Sequence, residues 1–407
     1  MNSTALEQKA FRIQAVVEEH TLQKQGMLPM FVRASDFQLP TALDYAGMAP
    51  HRHLKGKTEE VVGIAPMHVW RAWEDTSMDT GFYLGAMSYR YRCTGAAADL
   101  AVCRRTLGAL KYIYDIGAES EEPGFLTKPY GGVASTQTSG DQLQSVTMGL
   151  DAYRRIACGE DAATIDAMFV GFADYQMRRQ YAPKQGSYFA LLFEPGDWIS
   201  GSWGRALIYL PVLFAAWRAT GDGKFVEEIE RLYRCCESDD SCSPEPGERV
   251  SSGGKGLYLP SLMMELDPWH HQRWRDMMMG SFRTSAHAIL PDGTGYTAGR
   301  NDPQTGTVVP VASRWGGGTA RTARTGRYSS FGFGCVNAQR WLPEEDAVGV
   351  ARVILENLDL DTFRFIMPAE PGGQLPPDWR PEGKLLDHDS LVGWLYMYWE
   401  GRWRGYW

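Results

Sequence analysis

At 407 residues, with a net charge of -8 and a pI near 5.6, the chain is acidic and shows no stripe of Lys and Arg to neutralise phosphates, which argues against a nucleic-acid partner. No run of about 18 apolar residues is present to span a bilayer. The N-terminal MNSTALEQKAFRIQAVVEEH is amphipathic and charged, unlike a secretory signal, so a cytoplasmic chain with no membrane partner is expected, and a secreted or periplasmic one only where a signal has been removed.

Residues 4–25 read as an amphipathic helix, followed by a long loop that carries Pro29, Pro40, Pro50 and the pair His51 and His53. Long irregular segments in compact domains often serve function. The first loop-to-helix junction runs from His68 to Asp79, holds Trp70, Arg71, Trp73, Glu74 and Asp75, and feeds GFYLGAMSYRYRCTG. The second ends in Ser139-Gly140-Asp141-Gln142, where Ser139 or Asp141 can cap the free N–H groups of the helix that follows. The third, Glu194 to Arg205, holds Asp197, Trp198 and Trp203 and feeds ALIYLPVLFAAWRATGD. The polar stretch near 237–260, rich in Ser, Gly and Pro, reads as an inserted loop or lid. The fourth junction, Asp267 to Trp274, holds Trp269, His270, His271 and Arg273 and feeds RDMMMGSFRTSAHAIL. Residues 301–315 read as a short β-hairpin. The fifth junction, Arg327 to Ser330 with Tyr328, feeds FGFGCVNAQRWL, and the sixth, Asp387-His388-Asp389, feeds SLVGWLYMYWEGRW, whose aromatic C-terminus is a candidate subunit contact for a homo-oligomer.

Short glycine turns between the helices set a period. The spacings Gly95 to Gly159 (159 − 95 = 64) and Gly159 to Gly221 (221 − 159 = 62) each fit one helical hairpin with its loops. Two further periods land near Leu342-Pro343-Glu344-Glu345, a turn before DAVGVARVILENL. Each relatively apolar helix is followed by a more charged one, the composition expected of an inner and an outer ring, and no long linker divides the chain. The expected fold is therefore all-α, an (α/α)6-like toroid over residues 1–407. All six junctions would open at one mouth, bringing side chains far apart in sequence into a single pocket. The bland alternative at any one junction is that its acids are helix caps and its aromatics core staples.

The repeat, the inner-helix composition, the Trp- and Asp-rich junctions and the phrases DTGFYLGAMSYRY and SGDQ resemble the six-hairpin, (α/α)6 toroid carbohydrate-active enzymes, a group with unsaturated uronyl hydrolases, glucuronidases and some uronate polysaccharide lyases. The resemblance implies an oligosaccharide substrate and a preference for uronic acids. Glycosidases need two carboxylates across the scissile bond. Asp79 and Asp141 occupy corresponding places at the starts of two inner helices, 141 − 79 = 62 residues or one repeat apart, and are the expected catalytic pair, with Glu74, Asp75, Asp197, Asp387 and Asp389 in reserve. Flat apolar faces for sugars are expected from Trp70, Trp73, Trp198 and Trp203, and hydroxyl or carboxylate contacts from Glu74, Gln142 and Arg205.

The alternative chemistry is β-elimination, with His271, Arg273 and Tyr328 supplying base, carboxylate clamp and acid. A helical-repeat scaffold that binds a partner without catalysis is the second alternative. No cofactor and no metal are expected, because His51-x-His53, His270-His271 and Asp387-His388-Asp389 lack a recognised ligand spacing. The seven cysteines, an odd number, fit reduced thiols, with Cys93, Cys103, Cys158 and Cys335 in apolar helical surroundings and Cys235, Cys236 and Cys242 clustered without a fourth ligand.

Overall fold

The computed structural model describes residues 3–45, 67–181, 203–237, 249–250, 255–286, 289–293, 299–301, 308–310, 326–361, 364–365 and 385–407. Six helices form a closed ring: α3 (Thr76–Thr94), α5 (Gly140–Arg154), α7 (Trp203–Thr220), α9 (Lys255–Leu266), α11 (Gly326–Ala338) and α13 (His388–Trp403) each pack on the next, and α13 returns to α3. Their partners are α4 (Ala97–Ser120), α6 (Gly159–Arg178), α8 (Gly223–Cys236), α10 (His271–Ser285) and α12 (Ala347–Asn357), with α1 (Ser3–Val16) against α13 as the sixth. A short helix, α2 (Met67–Trp73), leads into α3. The chain is an (α/α)6 toroid.

The composition explains the two rings. Residues Thr76 to Tyr89 of α3 and His388 to Gly401 of α13 are buried without interruption, as helices surrounded by others must be. In α8 burial follows one stripe, Phe225, Ile229, Leu232, Tyr233 and Cys236, leaving charged residues between them for solvent. The turn at Gly95 needs a left-handed backbone, φ 64°, and its N–H closes α3 on the Tyr91 carbonyl at 2.7 Å. Gly221, φ 69°, does the same after α7 by donating to Trp217 at 2.7 Å. The ring is completed through the N-terminus. The buried ammonium of Lys9 on α1 donates to the carbonyls of Leu355, Glu356 and Leu358 at 2.8, 3.0 and 2.9 Å, satisfying backbone acceptors at the end of α12.

Two small antiparallel sheets accompany the helices. One joins β1 (Phe31–Arg33), β6 (Leu385–Asp387) and β5 (Arg364–Phe365) in the order β1-β6-β5, and ties the N-terminal segment to the start of α13. The other joins β2 (Arg249–Val250), β3 (Gly299–Asn301) and β4 (Val308–Pro310), so a hairpin is present where one was expected, its strands starting two residues earlier and ending at Pro310.

The structure corrects two expectations. The inner helix of the fourth hairpin is α9, which begins inside the stretch read as a lid; α10, read as inner, is its outer partner, and the segment 267–270 is the turn between them. In the C-terminal aromatic segment Trp394 and Trp399 are buried and Trp407 packs over Gly401, whereas Trp403 is exposed. Cys158 is exposed, because it sits in a turn rather than on an apolar face. Among the described residues no helix is long and apolar enough to cross a membrane.

Candidate functional site

The starts of α3 and α5 meet directly. Gln142, fully buried, accepts from the Met78 backbone N–H through Oε1 at 3.0 Å and donates to Asp75 Oδ1 through Nε2 at 3.0 Å. The two expected catalytic carboxylates flank this bridge, Asp79 beside Met78 and Asp141 beside Gln142. Asp79 has no exposed surface, whereas Asp141 is partly exposed. The helices approach this closely because Gly81 and Gly149 face each other's backbones.

The acids at this end are not caps. Asp75, Ser139 and Asp387 occupy the N-cap positions of α3, α5 and α13, and none makes a side-chain cap hydrogen bond. On the outer helices the same residue type does cap: Asp222 accepts from Lys224 N at 3.0 Å and Asp346 from Gly349 N at 2.9 Å. The expected capping role of Ser139 is therefore not met.

A buried cation, missed in the sequence, stands behind the acids. Lys128, 1 % exposed, bonds Glu74 Oε1 at 2.5 Å, and Tyr130 donates to Glu74 Oε2 at 3.3 Å. Burial alone would push the Lys128 ammonium down, but the carboxylates of Glu74, Asp75 and Asp141 outweigh it and hold it above the ordinary value. The loop carrying it is fixed by its own polar bonds: Lys128 N donates to Gln137 O at 2.8 Å, Ser135 Oγ to Lys128 O at 2.8 Å, and Ser77 Oγ of α3 to Thr127 O at 3.2 Å. Tyr258 of α9 was also missed. Its hydroxyl is pushed upward by burial and then by the charges of Asp389 and Asp141. Tyr258 also lines a cavity of about 20 Å³, room for one water, shared with Tyr89, Asp151, Arg155 and Asn337.

Other expected site residues lie elsewhere. Trp70 and Trp73 are buried in the core, 4 % and 5 % exposed, and offer no open face to a sugar ring. Trp203 is likewise buried, edge-on to Trp274 at 5.6 Å and covered by the Arg273 guanidinium at 4.3 Å. His271 begins the outer helix α10 and is exposed, so with Arg273 spent on Trp203 these two do not join the carboxylate group. Arg205 and Tyr328 lie on α7 and α11, and their side chains, like that of Arg71, are outside the described residues. Asp197, Trp198, His51 and His53 are outside them altogether. Asp387 and Asp389 are buried at the start of α13.

Between them, His388 is fully buried, its pKa pushed down to about 4 by burial, against hydrogen bonding to the Pro29 and Met30 backbone. The folded chain thus refuses a proton that the unfolded chain accepts near the ordinary 6.5. Stability from this group is complete above the unfolded value and is lost as pH falls toward the folded one, at roughly 1.4 kcal/mol per pH unit. Urea unfolding from pH 7 to pH 5 should lose about 2 kcal/mol more in the parent than in His388→Gln. Equal slopes in the two proteins would assign the acid sensitivity elsewhere.

No family model matches the chain, and no curated protein does. Among solved structures it is similar to an unsaturated glucuronyl hydrolase specific for heparin, with TM-score 0.53 and 12 % identity over 98 % of this chain and 96 % of that one. It is similar to a sugar epimerase from a ruminal bacterium, with TM-score 0.55 and 13 % identity over 98 % of both chains. A cellobiose 2-epimerase from Bacillus thermoamylovorans gives 0.52 and 11 % over 97 % of this chain and 100 % of that one. These neighbours are (α/α)6 toroid carbohydrate-active enzymes, and the likeness is one of fold.

Proposed function

We propose that the chain is a glycoside hydrolase acting on uronic-acid-containing oligosaccharides, with Asp79 and Asp141 as its general acid and base pair. The observation that carries the reading is the Met78–Gln142 bond at 3.0 Å, which joins the starts of α3 and α5 one residue from each carboxylate. Two carboxylates on facing walls of a pocket, in unlike surroundings, are what glycoside hydrolysis requires. Asp79, with no exposed surface, is suited to deliver a proton to the leaving oxygen. Asp141, partly exposed and within the field of Lys128, is suited to remain charged and activate water. Gln142 and Glu74 fix the surroundings of the two acids through Met78, Asp75 and Lys128, and Arg205 is a candidate partner for a uronate carboxylate. The uronic-acid preference draws on the fold shared with the glucuronyl hydrolase.

Elimination has less support, since His271 is exposed at the start of the outer helix α10 and Arg273 is packed on Trp203. Epimerisation of a reducing sugar needs a base able to reach a carbon-bound proton. His388, between Asp387 and Asp389 at the start of α13, is fully buried against the N-terminal segment. The test is a screen of the full chain on intact and lyase-cleaved uronic-acid oligosaccharides and on aryl glucuronides. New reducing ends without new ultraviolet absorbance are expected from intact substrates, and falling absorbance from unsaturated ones. Rising absorbance would replace the reading by elimination, and an isomerised but uncleaved disaccharide would replace it by epimerisation.

A further inference from the structure

We propose that Lys128 is a positioning residue of the carboxylate mouth, the fixed positive charge that orders Glu74 and Asp75 and keeps Asp141 charged at neutral pH. The inference rests on the hydrolase reading for its catalytic meaning, and on geometry for its physical content. A lysine 1 % exposed is rare, and the desolvation of its ammonium is offset only by close opposite charge. A single buried ion pair adds little to stability compared with apolar residues of the same size, so Glu74 alone does not explain why the cation is there.

Its surroundings do. Glu74 holds it at 2.5 Å from the turn before α3, and the next residue, Asp75, is fastened to Gln142 of α5 at 3.0 Å. Asp141 is the neighbour of that glutamine, and its charge reaches Lys128. Among the described residues, the titratable groups grouped with Asp141 are Glu74 and Asp75 before α3, Asp79 on α3, Lys128 and Tyr130 on the loop before α5, Tyr258 on α9 and Asp389 on α13. Four of these seven are carboxylates, and Lys128 is the one cation among them. Removing it leaves Asp141 among like charges, which favour its protonated form. The loop bonds from Lys128 N and O keep the ammonium from following solvent.

The experiment compares the full-length parent with Lys128→Met and Lys128→Arg. The acidic limb of kcat/KM against pH should move up by about one unit or more in the methionine variant and stay in place with arginine. A lysine with only a packing role would lower stability in Lys128→Met without moving the limb, which overturns the proposal. A titration of aspartate side-chain carboxyls by carbon-13 NMR, with the Asp141 signal identified by its loss in Asp141→Asn, measures the same shift without turnover. An upward shift there in a protein inactive on every uronide would sustain the role of Lys128 and sink the hydrolase reading. Hydrolysis with an unmoved Asp141 titration would do the reverse. Should Lys128→Met not fold, the double variant Lys128→Met/Glu74→Gln removes both buried charges together and is titrated in the same way.

Discussion

Replacing Asp141 by asparagine is expected to lower turnover by about 1,000-fold or more while the protein still folds. The substitution keeps side-chain size and removes only the ability to hold and release a proton. Asp141 is partly exposed and asparagine matches it in size, so no cavity opens. An acid that serves structure alone behaves differently. Asp222 caps α8 by accepting from Lys224 N, and Asp222→Ala should cost about 1 kcal/mol in urea unfolding with turnover unchanged. Steady-state kinetics and unfolding on both variants separate the two kinds of aspartate. Near-normal activity in Asp141→Asn would take that residue out of the mechanism.

The same contrast shows what was legible in the sequence. The hairpin period was readable because left-handed turns favour glycine, and Gly95 and Gly221 have that backbone. That the starts of α3 and α5 lie side by side followed from one repeat of spacing and needed no knowledge of side-chain contacts. The fourth hairpin was misread for a local reason. Inner helix α9 carries Pro260 within its span and follows a Ser- and Gly-rich stretch, and both features read as helix-breaking. Its burial on all sides compensates. The signal that would have corrected the register is the single stripe Trp274, Met278, Phe282 on α10, with charged residues between, which marks an outer helix. Tryptophan burial was not legible, since an aromatic before a helix has the same local pattern whether it faces a pocket, as expected of Trp203, or lies under Arg273, as observed. Lys128 was missed because its meaning is long-range: Glu74 lies 54 residues earlier in the chain.

Gly149→Ala should destabilise the fold by about 3 kcal/mol, although alanine is the better helix former. A Cβ at Gly149 would fall on the carbonyl oxygen of Gly81, and one at Gly81 would lie 2.6 Å from the Ser145 carbonyl oxygen, so backbone meets backbone and no side chain can rotate away. Relief requires α3 and α5 to separate, which stretches the Met78–Gln142 bond and moves Asp79 from Asp141. Activity should therefore fall further than the loss of folded protein explains. Gly108 on the outer helix α4 supplies the opposite sign. A Cβ there meets nothing within 4 Å and the site is exposed, so Gly108→Ala should stabilise by up to about 1 kcal/mol through helix propensity alone. Urea unfolding followed by circular dichroism measures both. If Gly149→Ala proved neutral, the close approach of α3 and α5 would be lost as the basis of the site. The carboxylate pair would then depend on loop placement instead of on helix packing.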